Sequence, residues 1–174
     1  LFNYKSGQHA FNIIGSYGTG KSTFLWALEK HLKGETVFFK EHFNGHFSGF
    51  KRFEFVKFVG RPISLRASFA QEFNSASDDS TSIIKAIAKK SEALHSKKKV
   101  LVIFIDEFGK HLEYASKKDV DEIYFVQELA EYCNSPKQEI LLITTLHQNF
   151  GGYARGLDKT QRDEWHKVKG RLTD

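Results

Sequence analysis

Apolar positions recur along the chain in two rhythms. "HAFNII", residues 9–14, is a short apolar run of strand length, and the glycine-rich turn "GSYGTG" follows it. In "KSTFLWALEKHLKG" the apolar residues Phe24, Leu25, Leu28 and Leu32 fall at helical spacing, with Gly34 as the stop. "TVFFKEHF", residues 36–43, and "FEFVKFVG", residues 53–60, are rich in aromatic and β-branched residues and predict strands. Ile83, Ile84, Ile87, Ala88 and Leu94 predict an amphipathic helix from Ser80 to Leu94. "VLVIFI", residues 100–105, and "EILLITTL", residues 139–146, are apolar on both faces, as buried parallel strands are. Between them Asp119 and Glu122 mark a helix start, with Ile123, Val126, Ala130 and Cys133 on its inner face. Strands alternating with helices predict an α/β domain around a mainly parallel sheet.

Composition narrows this little. The 174 residues suit one domain, and the net charge of +5 permits an acidic partner without demanding one. Lys97, Lys98 and Lys99 are expected to solvate a loop. The single cysteine excludes a disulfide framework and a cysteine-rich zinc site, and fits a reducing, cytoplasmic setting. No apolar run is long enough for a membrane helix, and the first residues lack the core of a signal peptide. With no methionine at all, the chain is expected to be a piece of a longer protein.

The chemistry concentrates in two places. "GSYGTGKS", residues 15–22, satisfies G-x-x-x-x-G-K-[ST] between a predicted strand and a predicted helix. Gly15, Gly18 and Gly20 let the backbone of Gly15, Ser16, Tyr17, Gly18, Thr19 and Gly20 curl, so that its amides cradle phosphate. Lys21 would reach the β- and γ-phosphates, Ser22 would offer its hydroxyl to Mg²⁺, and Thr23 is placed for the α-phosphate. The second place is "VIFIDEFGKHLEY", where an apolar run stops at Asp106 and Glu107. Such a loop needs a carboxylate at the end of another strand to hold Mg²⁺, and Asp106 is the candidate. Glu107 beside it would orient and deprotonate the attacking water. Gly109 and Lys110 are expected to turn the chain away from the site, and His111 to be a surface or loop residue.

"GSYGTGKST" together with "VIFIDE" resembles the P-loop NTPases of the additional-strand, catalytic-glutamate division, most closely AAA+ and STAND ATPases. RecA-like motors and ABC ATPases share the division, but no "LSGGQ"-like signature is present. The resemblance implies a three-layer P-loop NTPase fold with a mainly parallel sheet, truncated before its last strand and lid. It also implies a further strand between the two motif strands, ending in a polar sensor of the γ-phosphate. In "EILLITTLHQNF", Thr145 is the first choice for that sensor and His147 the second. By the same resemblance Arg171, or Arg162, is similar in placement to an arginine that reaches a neighbouring subunit's nucleotide in a homo-oligomer. "IDEFGKHLEYA" and "ITTLHQNFGGYARGL" are also similar to bacterial multidomain ATP-binding proteins.

The implied activity is Mg²⁺-dependent ATP hydrolysis coupled to conformational change. ATP is favoured over GTP because no "NKxD" pattern occurs. Three other functions stay open: a nucleotide-gated switch or scaffold with little turnover, a DNA-stimulated ATPase, and a P-loop small-molecule kinase. Residues 37–73 hold ten phenylalanines among basic residues, a pattern assigned to core and to an insertion or hairpin at 40–60 rather than to base stacking. His42 and His46 lack a third ligand, which disfavours zinc. Tyr17 packs on the nucleotide or on a neighbour, and its role is open.

Overall fold

The computed structural model describes residues 8–36, 38–39, 52–119, 121–135, 138–154, 157 and 159–172. In chain order the elements are β1 (Ala10–Ile14), α1 (Lys21–Leu32), β2 (Arg52–Val59), α2 (Leu65–Phe73), α3 (Ser80–His95), β3 (Lys99–Asp106), α4 (Gly109–Lys118), α5 (Asp121–Asn134), β4 (Ile140–Leu146), α6 (Phe150–Tyr153) and α7 (Lys159–Arg171). The strands form one sheet in the order β1-β4-β3-β2, and every pairing is parallel.

The double-sided apolar character of β3 and β4 has its cause in the layers around them. Leu101, Ile103 and Ile105 of β3 join the core made with α2 to α7, whereas Val100, Val102 and Phe104 face α1. In β4, Ile140 and Leu142 take the first side, and Leu141 and Ile143 the second. Both faces are therefore dry, and the result is a three-layer α/β sandwich. Among the described residues no helix is long and apolar enough to cross a membrane.

The helix stop at Gly34 is observed, with φ +74° and an amide that donates to His31 O. Residues 36, 38 and 39 are not in a strand, and the remainder of that predicted strand lies outside the described residues. Of the segment expected as an insertion or hairpin, 52–59 is an integral sheet strand, β2, while 40–51 lies outside the described residues. His42 and His46 lie outside them too.

Two buried carboxylates tie helices to this frame. Glu122 is 2% exposed, and its oxygens accept from Ser64 Oγ (2.5 Å), Leu65 N (2.8 Å), Arg66 N (3.1 Å) and Arg66 Nε (3.3 Å). Asp119 starts α5 as expected, accepting from Asp121 N at 3.0 Å, but the Glu122 side chain turns away to cap α2. Asp119 also takes Arg66 Nη2 at 2.5 Å, so one arginine clamps two elements. On the other face Glu29 of α1 pairs with Lys33 (2.6 Å) and with Lys57 of β2 (2.9 Å). Burial pushes the Glu29 carboxyl up, but hydrogen bonds from Lys33 and Lys57 outweigh it and hold the pKa below the ordinary 4.5.

Removing Glu122 leaves Arg66 Nε and the Leu65 and Arg66 amides of α2 without their acceptor, with Asp119 alone to hold the guanidinium. Glu122→Ala should cost about 3 kcal/mol in urea denaturation, and Glu122→Gln, which keeps an amide oxygen, should cost less. Because the folded pKa of Glu29 is depressed, its contribution is present above the unfolded pKa and lost as pH falls through the folded one. Stability measured from pH 6 down to 2 should therefore decline less steeply in Glu29→Gln than in the parent chain.

Candidate active site

The parallel sheet delivers its chemistry to one edge. β1 runs into the glycine loop, and Gly15 N donates to Leu146 O at 3.1 Å, pinning the loop to the end of β4. Gly18 and Gly20 have φ of +78° and +82°, a region that side chains disfavour. Thr19 Oγ1 closes the loop on Ser16 O at 2.8 Å. No side chain caps α1, and its first turn holds no acidic residue, so its leading amides are free for an anion. Lys21 Nζ donates to the carbonyls of Gly15 (2.5 Å) and Ser16 (2.8 Å), folding back along the loop.

Across from the loop, β3 and β4 end side by side, one step beyond the Ile105–Thr144 pair. The hydroxyl of Thr145, 1% exposed, donates to Asp106 Oδ1 at 2.6 Å and accepts from Glu107 N at 2.9 Å. Glu107 N also reaches Asp106 Oδ1 at 3.0 Å. Glu107 itself has φ +53°, a left-handed backbone that costs a non-glycine residue about 1 kcal/mol or more. Neighbouring bonds impose it: Gly60 N to Asp106 O (2.7 Å) and Phe108 N to Thr145 O (3.0 Å). Gly60 has to be glycine, since a Cβ there would lie 1.9 Å from Glu107 O.

Between these walls lies a cleft of about 360 Å³. Tyr17, Gly18, Gly20, Lys21, Ser22 and Thr23 line one side, and Asp106, Glu107, Lys110, Thr145 and His147 the other. Sequence-predicted residues from three separate segments thus converge, with Gly15, Ser16 and Thr19 shaping the loop behind them. Tyr17 stacks on His147 at a ring-centroid distance of 4.7 Å. Tyr153 O–H lies 2.8 Å from His147 Nδ1. Burial pushes the Tyr153 phenol up to about 12, so the hydroxyl keeps its proton beside the His147 ring.

Arg171 is not brought to this cleft. Its Nε pairs with Glu131, and its carbonyl accepts from Asn134 Nδ2 at 2.8 Å. Asn134 Oδ1 in turn accepts from Ala10 N at 2.9 Å, so Arg171 sits at the start of β1, about 16 Å of strand from the loop. Arg162 is exposed on α7.

Two expectations change in the structure, one in part. Gly109 and Lys110 begin α4, the helix that carries the chain off the strand end as expected, but Lys110 Nζ stays at the cleft, 2.5 Å from Glu107 Oε2. The Lys110 pKa is raised by that bond. His111 is no surface residue; it is 4% exposed, its ring Nδ1 lies 3.0 Å from Ile63 O, and burial lowers its pKa. Sequence reasoning missed Lys110 and Gly60 as site residues. A lysine three positions after a glutamate was the available signal for the first, and a glycine closing a strand for the second.

A divalent cation fits the donor set only in company. Ser22 offers an exposed hydroxyl, and Asp106 keeps Oδ2 without a partner among the described residues. No cluster of three His, Cys, Asp or Glu residues exists among the described residues. Two such oxygens do not make a cage, but they suit Mg²⁺ that arrives on phosphate oxygens and keeps several waters. Cys133 is buried with its thiol pushed up to about 12 and offers neither nucleophile nor ligand.

The Thr145 hydroxyl serves as both donor and acceptor, and a methyl group can do neither. Thr145→Val should cost about 1–3 kcal/mol and Thr145→Ser close to nothing, as read by thermal and urea melts.

No protein-family model matches the chain, and no curated protein sequence matches it. Among solved structures it is similar to ORC2 of Aeropyrum pernix in its ADPNP–ADP complexes. The TM-score is 0.54 at 14% identity, over 91% of this chain and 41% of that one. PCH-2 of C. elegans superposes more loosely, with a TM-score of 0.43 at 16% identity over 88% of this chain and 33% of that one. The chain therefore spans less than half the length of either protein. The likeness to ORC2 shows a shared three-layer α/β fold, in this chain built on a parallel sheet with β4 inserted between β1 and β3.

Proposed function

We propose that the chain binds ATP with Mg²⁺ in the cleft at the strand ends and hydrolyses it, in the manner of an AAA+ domain. The observation that carries this reading is the convergence of the phosphate loop, Asp106, Glu107 and Thr145 on one 360 Å³ space. That the solved ORC2 structure holds ADPNP and ADP supports it. The STAND and bacterial multidomain likenesses rest on the sequence resemblance alone.

The roles follow from what each group does now. The uncapped amides of α1 and the loop would take the phosphates, and Lys21 would exchange two carbonyl partners for phosphate oxygens, stronger acceptors for an ammonium. Ser22 and Asp106 would hold Mg²⁺, which when bound offsets charge on the phosphate oxygens. Thr145 keeps Asp106 and the Glu107 amide in register, so the Glu107 side chain leaves from a fixed point. Glu107 would then take a proton from a water that attacks the γ-phosphorus. The bond to the bridging oxygen breaks, and its electron pair stays on ADP. His147, stacked on Tyr17 and held by Tyr153, lies where a change at the phosphates is felt. Arg171 could serve only a neighbouring subunit's nucleotide, and only after leaving Glu131.

The test separates binding from turnover. Lys21→Ala should abolish ATP binding, measured by calorimetry. Glu107→Gln should bind ATP at least as tightly as the parent and lower phosphate release by about a hundredfold or more. Phosphate release by the parent without an acceptor excludes the kinase. Binding with no turnover in the parent supports the switch instead, and stimulation by DNA that fades with added salt identifies the DNA-dependent variant. Hydrolysis that survives Glu107→Gln overturns the base assignment.

A further inference from the structure

We infer that Lys110 reads the terminal phosphate, making the cleft selective for a nucleoside triphosphate over a diphosphate and releasing Glu107 as it does so. This rests on the nucleotide reading of the cleft and adds a residue that the phosphate-loop motif does not contain.

Two lysines face the cleft from opposite walls, and each is occupied by oxygens of its own chain. Lys21 rests on the Gly15 and Ser16 carbonyls, while Lys110, in the first turn of α4, rests on Glu107 Oε2. The Lys110–Glu107 pair is open to solvent, with side chains 47% and 43% exposed, so water and salt screen it and its hold is weak. A γ-phosphate carries more negative charge than one carboxylate, and it would lie between Lys21 and Glu107, within the swing of a four-carbon side chain. Lys110 then has a better partner than the one it keeps.

The exchange has a chemical consequence at Glu107. While Lys110 donates to Oε2, that oxygen is engaged by an ammonium and is poorly placed to receive a proton from water. Once Lys110 moves to a γ-oxygen, Oε2 is released toward the same space. The backbone beneath it does not move, because the Glu107 amide stays fixed by Thr145 and Asp106. The following step balances. The water oxygen bonds to phosphorus, the phosphorus–bridging oxygen bond breaks with its electrons kept by ADP, and one water proton passes to Glu107. Lys110 keeps its protons throughout and offsets charge on the transferred group. ADP, lacking the γ-phosphate, leaves Lys110 on Glu107.

Dissociation constants for ATP and ADP test this without reference to turnover. They are measured by competition against a fluorescent ATP analogue, first in EDTA, where ATP is not consumed, and again with MgCl₂. Lys110→Ala should weaken ATP about tenfold and ADP less than about twofold, and Lys110→Gln should do the same. Lys110→Arg should retain most of the preference for ATP. Glu107→Gln frees Lys110 beforehand and should tighten ATP, a gain that the Glu107→Gln/Lys110→Ala double variant should lose. Equal effects of Lys110→Ala on ATP and ADP, or none on ATP, overturn the role of Lys110 while leaving the ATPase reading intact. A parent chain that binds neither nucleotide in either buffer overturns both.

Discussion

The hydroxyl of Thr145 stands where two strand ends meet, and the site depends on it. It binds Asp106 and the Glu107 amide at once, and the next residue, Leu146, holds the first amide of the glycine loop. Three segments far apart in the chain are thereby registered within one or two hydrogen bonds. The cause lies deeper, in the insertion of β4 between β1 and β3. Had β1 paired with β3 directly, the loop and the carboxylates would abut with no polar side chain between them. The buried, double-sided apolar character of β4 gives that insertion its stability, and the switch from Ile143 to Thr144 and Thr145 gives it chemistry.

Charge in the cleft is balanced within the chain. Two lysines and two carboxylates face the same space, and all four are already engaged with groups of the chain. Lys21 is bound to carbonyls, Lys110 to Glu107, and Asp106 to the Thr145 hydroxyl. Exposed groups of this kind are exchangeable, whereas Glu122 and Arg66, deep between α2 and α5, are not. The same pairing chemistry is thus used in two ways. Buried, it fixes the positions of helices; exposed at the strand ends, it pairs charged side chains where solvent screens them. The left-handed backbone at Glu107 belongs with the first kind, since four hydrogen bonds around it leave no alternative path.

What the sequence disclosed followed the range of the interaction. The glycine loop and the placing of Asp106 and Glu107 at a strand end were legible because their signals are local: glycines at set spacing, an apolar run, a sudden pair of acids. The strand carrying Thr145 was legible for the same reason. α2 was not predicted, although Leu65, Phe69 and Phe73 recur every four residues on one face, because they sit in a phenylalanine-rich stretch that favours strand or insertion. Phe58 of β2 stacks on Phe69 at 4.2 Å and Phe125 of α5 meets it edge-on at 5.3 Å, contacts that give those rings their purpose. Lys110 looked like an ordinary solvated charge, and its difference from Lys97 is one of place alone. Glu122 announced a helix start, yet the helix it caps begins 57 positions earlier, at Leu65.

The cleft is also joined to the end of the chain by a continuous set of packed groups. His147, under Tyr17, is held by the Tyr153 hydroxyl, and Tyr153 ends the short helix α6. At the other end of α6, Phe150 offers its carbonyl to Trp165 Nε1 at 2.8 Å and its ring to the same indole. Trp165 is 1% exposed and anchors α7, whose last residue, Arg171, is bound to α5 through Glu131 and Asn134. Each joint is a buried ring or a hydrogen bond, so His147 cannot shift without a matching shift of Tyr153, and α6 cannot rotate without disturbing Trp165. Close-packed interiors resolve such demands by moving whole elements rather than by local deformation. Among the described residues, packed contacts thus run from His147 through α6 to α7, with Arg171 at their far end.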